Sequence, residues 1–344
     1  MRLPTPKRMM PLAIAAAVTL VLTGCGGQGR NGTVEAGSDG KMHISVGYYP
    51  TILTSYLTEV AQEQGIFEAN GLEVDLVPIQ AGPQQTSALL GGSLDIADLP
   101  APTMVPLMKS GDGQIVALTG GAHVNYSMVI HPGMAQGMDV GNPDAALAIK
   151  GKTVAVTVPG GTIDYFAQIA AREAGLDTKD YSTVGAGSVP AILAGFKEGR
   201  FDAAVLFPEV AHLAGEEGKD YTVLTSASAT SSSTDLYKGM LQSVTGARAD
   251  WVKSNPDAVT AFCTSIGEAH DWVQDPQNAQ ELGKSLGGWF EQPEKRGMEI
   301  FETTTFGPVL TQEIWEQQAA MAGTDTMPAY GDFVSAQCLS ALSE

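Results

Sequence analysis

Strand and helix signals alternate between residues 41 and 224, and this pattern constrains the fold more than any other feature of the chain. His43-Ile44-Ser45-Val46-Gly47-Tyr48 alternates in polarity and is rich in β-forming residues. Pro50 then opens a helix over 51–64, with Leu53, Leu57 and Val60 at helical spacing and Gly65 as its stop. Strands are predicted at 73–79, 95–97 and 114–120, with helices at 84–90 and 103–109 between them. A second block repeats the logic, with strands at 152–157, 181–184, 203–207 and 221–224 and helices at 162–174, 189–198 and 208–214. This order implies an α/β fold of parallel-rich sheets with helices on both faces. From Ala247 onward the pattern is almost wholly helical. Single cores stop growing near roughly 250–300 residues, so a chain of 344 suggests two lobes. Breaks at 120–126 and 227–234 supply two crossovers. The expected division is 42–124 plus 229–344 for the first lobe, with the C-terminal helices packed on it, and 125–228 for the second.

The N-terminus carries Arg2, Lys7 and Arg8 and no acid, followed by an apolar run from Pro11 to Leu22. That run has the length of a secretory h-region and falls short of the roughly 20 residues that span a bilayer. Small residues Thr23 and Gly24 then precede Cys25. The stretch resembles the lipobox of bacterial lipoproteins. The resemblance implies that residues 1–24 are a signal peptide, that Cys25 is lipidated, and that 25–40 form a flexible Gly/Ser-rich tether to a membrane. Loss of the signal leaves 16 basic against 38 acidic residues and moves the net charge from −19 to −22. No basic footprint for nucleic acid is present. Cys263 and Cys338 remain in an oxidising compartment, and two readings stay open for them: a disulfide or two separate buried thiols.

In open α/β sheets ligands sit outside the carboxyl ends of the strands, at the strand-to-helix turns. Those turns share a chemistry here: Tyr49-Pro50-Thr51, Ala81-Gly82-Pro83-Gln84, Leu99-Pro100-Ala101-Pro102, Pro159-Gly160-Gly161-Thr162, Gly185-Ala186-Gly187-Ser188 and Phe207-Pro208-Glu209. Gly and Pro let a ligand approach the backbone and preset helix starts, whose N–H groups favour anions. Gly160, Gly161 and Thr162 form the best single cradle. Tyr48 and Tyr49 alternate at a strand end, so one faces core and the other pocket.

At these positions the chain resembles a family. Residues 58–74, with Gly65-Ile66-Phe67 and Gly71-Leu72, resemble one of its signatures, and Ala88-Leu89-Leu90-Gly91-Gly92-Ser93-Leu94-Asp95-Ile96-Ala97 resembles a second. Ile149-Lys150-Gly151-Lys152-Thr153-Val154-Ala155-Val156 opens a second lobe as that family does. The family is the nitrate/sulfonate/taurine-type substrate-binding proteins of bacterial ABC importers. The resemblance implies a monomeric, bilobed, periplasmic-binding-protein-like fold of type II. It implies closure on a small organic or inorganic anion and delivery to a permease with its ATPase. It carries ligand contact to Tyr48, Tyr49, Thr51, Gln84, Pro100, Ala101, Asn125, Gly160, Gly161, Thr162, Phe207 and Glu209. Glu209 keeps two readings, a partner for an amine on the ligand or an acid offsetting its own helix dipole.

Enzyme readings find less support. Gly187-Ser188-Val189-Pro190 does not match a nucleophile elbow, and Gly185-Ala186-Gly187 has Pro190 where a dinucleotide motif needs its third Gly. The five histidines share no metal-ligand spacing, and no Cys-x-x-Cys occurs. No metal or cofactor is expected. Enzymes of pyrimidine or menaquinone precursor synthesis share the bilobed fold, and a ligand sensor or adaptor differs only in its partner; both stand as alternatives.

Overall fold

The structure is a computed structural model that describes residues 33–109, 115–228, 240–302 and 304–343. The signal segment, residues 25–32 of the tether with Cys25, and most of the 227–234 crossover lie outside the described residues. No helix among the described residues is long and apolar enough to cross a membrane.

Ten strands among the described residues form two five-stranded sheets. In chain order they are β1 (Met42–Tyr48), β2 (Leu72–Pro78), β3 (Ile96–Leu99), β4 (Ile115–Gly120), β5 (Asn125–Ile130), β6 (Thr153–Val156), β7 (Ser182–Gly185), β8 (Ala203–Leu206), β9 (Thr222–Ser228) and β10 (Val244–Arg248). The first sheet runs β2-β1-β3-β10-β4 and the second β7-β6-β8-β5-β9. Each has a parallel trio, with β1 between β2 and β3 and β6 between β7 and β8. Each also has one strand, β10 or β5, antiparallel to the third strand of its trio. The parallel-rich reading therefore holds, with one antiparallel intruder per sheet. Those intruders are the segments where the chain passes from one sheet to the other, and neither is foreseen by periodicity.

The two sheets are built from the same local device. Helices Gly82–Leu90 and Val189–Lys197 both span nine residues and carry Pro at their second position, where its missing N–H costs no helix bond. Both end at a glycine with positive φ, Gly92 at 74° and Gly199 at 71°. Three residues on, an aspartate ties the third strand to the first. Asp95 accepts from the Ser45 N–H and hydroxyl at 2.8 and 2.9 Å. Asp202 does the same for Thr153 at 2.8 and 2.9 Å. Gly92-Ser93-Leu94-Asp95-Ile96-Ala97 and Gly199-Arg200-Phe201-Asp202-Ala203-Ala204 are thus one motif used twice.

The C-terminal helices pack on the first sheet. Trp251, Phe262, Cys263, Leu286 and Phe290 share a buried apolar cluster with Ile44, Val46, Leu57 and Phe67. Cys263, in helix Pro256–Gln274, and Cys338, in helix Ala336–Ala341, are disulfide-bonded with their Cα atoms 5.3 Å apart. The second lobe's cluster runs across the cleft to take in Tyr49, Ile52 and Ala101 of the first.

Candidate ligand site between the lobes

A cavity of about 170 Å³ lies where the two sheets face each other. Its walls come from the carboxyl ends of the parallel strands: Tyr49 after β1, Gln80 to Pro83 after β2, Pro100 after β3, Thr157 to Ile163 after β6, Val189 beyond β7 and Phe207 after β8. Because β5 and β10 run against their neighbours, their starts lie at this same edge. Tyr126 from β5 and Gln242 and Ser243, just before β10, complete the lining. The reversal of the crossing strands is what brings them to the mouth of every parallel strand.

The sequence-nominated residues divide into two groups. Tyr49, Pro100, Gly160, Gly161, Thr162 and Phe207 line the cavity; Tyr48, Thr51, Gln84, Ala101, Asn125 and Glu209 do not. Tyr48 is half-buried with its ring 6.1 Å from that of Trp289, which leaves Tyr49 as the pocket member of the pair. Thr51 is exposed and sits at φ 62° in the turn. Gln84 is exposed on its helix, one residue beyond the stretch that reaches the cavity. Ala101 is buried in the interlobe cluster. Asn125 is buried and donates from Nδ2 to the Thr304 hydroxyl at 3.4 Å, while its neighbour Tyr126 takes the wall. The residues missed, Ile52, Thr54, Tyr126, Gln242 and Ser243 among them, carry no motif; only topology reveals them.

The glycine cradle is partly occupied by the protein itself. The Gly160 N–H donates to Asp164 Oδ2 at 2.7 Å and the Gly161 N–H to the Val158 carbonyl at 3.0 Å. Asp164, in the first turn of helix Thr162–Glu173, also offsets the helix dipole. What this corner offers the cavity is the Thr162 hydroxyl, buried and without a hydrogen-bond partner.

Two buried carboxyls stand beside the walls. Asp98 accepts from the Ser55 hydroxyl, and its backbone carbonyl accepts from the Tyr49 hydroxyl at 3.4 Å. Burial pushes its carboxyl up to about 7 against the lowering effect of hydrogen bonds from Ser55 and Ser243. Glu209 is 1% exposed, and its Oε1 accepts from the Leu53 N–H across the cleft at 3.3 Å. Burial likewise pushes it up to about 7. Its Oε2 and Asp98 Oδ1 have no hydrogen-bond partner. Glu209 thus bridges the two lobes through the Leu53 N–H while it also sits in the first turn of its own helix, Pro208–Ala211.

Both carboxyls have folded pKa values above their ordinary 3.8 and 4.5, so the neutral form is favoured in the folded state. Their contribution to stability is complete below about pH 4 and is lost as pH rises to about 7. Glu209→Gln keeps an acceptor for Leu53 and removes the charge. We expect it to stabilise the protein by about 2 kcal/mol at pH 8 and to have little effect at pH 4. Urea unfolding at the two pH values checks this; an equal effect at both refutes it.

The arrangement defines a class. Two α/β lobes joined by two crossovers enclose a small polar-dotted cavity between strand ends, which is the architecture of a periplasmic binding protein. The chain belongs to the NMT1-like family, whose model matches residues 37–287. The nitrate/nitrite binding protein NrtA of Synechocystis sp. is 25% identical over 260 residues, which cover 68% of this chain. The chain spans about half the length of that relative, 54%. Among solved structures, the alkanesulfonate-binding protein SsuA from Xanthomonas axonopodis pv. citri bound to MOPS superposes with a TM-score of 0.67 at 14% identity, covering 85% of this chain and 98% of that one. The periplasmic nitrate-binding protein NrtA from Synechocystis PCC 6803 superposes with a TM-score of 0.62 at 20% identity, over 74% and 68% of the two chains. These likenesses establish the fold.

Proposed function

We propose that this chain is the extracytoplasmic solute-binding component of an ABC-type importer, not an enzyme. It takes a small organic or inorganic anion of the nitrate, sulfonate and taurine class and hands it to a membrane permease and its ATPase. The observation that carries this reading is the convergence of six strand ends and both crossing strands on one cavity between the lobes. Residues 42–124 with 229–344 act as one jaw and 125–228 as the other, and the protein works as a monomer. The ligand touches both jaws only when they are shut, so its binding free energy is also the closing free energy. Cleavage before Cys25 and lipidation there hold the protein on the outer face of the membrane, with 25–40 as its leash.

A thermal-shift screen of nitrate, sulfonates, aromatic acids and their amides tests the assignment. A binder raises the melting temperature with concentration, as mass action requires, by about 2.7 kcal/mol of stability at 100 times its Kd. A flat response to every compound at millimolar concentration overturns it.

A further inference from the structure

Gln242 sets a demand on the ligand that no other side chain of the cavity sets. It is 3% exposed and lines the cavity, and neither its Nε2 nor its Oε1 has a hydrogen-bond partner. Its backbone is tied down by an N–H donated to the Ala122 carbonyl at 2.9 Å, so the side chain projects from a fixed point. Thr162, on the other lobe, supplies a second buried and unpartnered polar atom to the same cavity. Buried polar groups are almost always paired, and a carboxamide empty at both ends departs sharply from that rule. Because both ends are empty, the point does not depend on which end is nitrogen and which is oxygen.

We propose that the ligand is an organic solute that presents an N–H or O–H donor beside an acceptor to the Gln242 carboxamide, and that bare inorganic oxyanions are poorly held. This rests on the reading of the cavity as the solute site. An oxyanion only accepts. It can satisfy Nε2 and the Thr162 hydroxyl, but it leaves Oε1 buried and unpaired when the lobes shut. Among the described residues no lysine, arginine or histidine lines the cavity, so nothing there compensates a bare anionic charge. The N–H groups of Gly160 and Gly161 are already used within the protein. An organic anion qualifies when it brings an amine, an amide or a hydroxyl with it.

Isothermal titration on the full chain with matched probes tests this: ethanesulfonate against taurine, benzoate against benzamide, and nitrate alone. The donor-bearing member of a pair is expected to bind about 10- to 100-fold tighter, the range set by leaving one buried polar atom unpaired. Gln242→Leu should collapse that preference to within about threefold by removing both atoms. Gln242→Glu, which keeps acceptors and loses the donor, should retain preference for taurine, and it serves if the leucine variant fails to fold. Ethanesulfonate binding as tightly as taurine, benzoate as tightly as benzamide, or nitrate as tightly as either donor-bearing probe overturns the inference while the solute-site reading stands. A preference unchanged in Gln242→Leu overturns it equally. Binding of no probe at all to the wild-type chain removes the solute-site reading and this inference with it.

Discussion

Removing the Cys263–Cys338 cross-link lowers the unfolding free energy by about 4 kcal/mol. The two residues are 75 apart in sequence, so the reduced unfolded chain regains the freedom of a long loop, and that gain in the chain-entropy account is what the folded protein loses. Native contacts add to the effect. Cys338 lies in a helix of six residues, Ala336–Ala341, too short to hold itself in water, and its side chain is fully buried against the long helix Pro256–Gln274. Without the bond, packing, the Ser335 cap at the Cys338 N–H and the hydrogen bonds that Gln337 Nε2 donates to the Pro256 carbonyl and the Thr260 hydroxyl hold that helix in place. Guanidinium unfolding of the Cys263→Ala, Cys338→Ala double variant should show a lower midpoint and a steeper m value, because the uncrosslinked chain expands further. A loss below about 1 kcal/mol would show that the helices dock as well without the bond.

How much of this molecule its sequence discloses depends on how each segment is buried. The parallel trios are legible because each of their strands is followed by an amphipathic helix, and the switch of period marks the junction. Strands β5 and β10 are not. Every residue of both is buried, so neither shows alternation, and β10 is five residues long with Gly246 in its middle. The twin Gly-x-x-Asp-x-Ala motif is present in plain letters, but its meaning needs the strand pairing that puts Ser45 against Asp95 and Thr153 against Asp202. In the site, Gly and Pro identify the turns but not which residue of a turn points inward. Tyr48 and Tyr49 differ by one position and therefore by one face. At the β2 turn the cavity takes Gln80 to Pro83, whereas Gln84 has already rotated outward on its helix. Tyr126 lies in one crossing strand and Gln242 just before the other, and both are invisible for the same reason those strands are.

Gly161→Asp should abolish ligand binding, by at least about a hundredfold, while leaving the fold intact. Gly161 lines the cavity and is the N-cap of helix Thr162–Glu173, at φ −86° and ψ 177°, a conformation open to any residue. It has no side chain to cap the helix, and an aspartate there gains an acceptor for the first-turn N–H groups, a gain of about 1 kcal/mol. A Cβ at 161 would meet the Val158 carbonyl oxygen at 3.1 Å, a contact that a small backbone shift relieves, and the Asp164 carboxylate nearby opposes the new charge. These effects nearly cancel, so the unfolding free energy should stay within about 1 kcal/mol of wild type. Binding has no such compensation. The carboxylate projects beside a cavity of about 170 Å³ with no cation in its lining among the described residues, and it must lose its water whenever the lobes shut on a solute. Gly161→Ser separates the two causes, since it adds comparable capping without charge and should lose about tenfold or less. Calorimetry with whichever probe binds the wild-type chain, beside urea unfolding of all three proteins, reads both halves of the expectation. A folded Gly161→Asp protein with wild-type affinity would mean that the solute is held somewhere other than between the jaws.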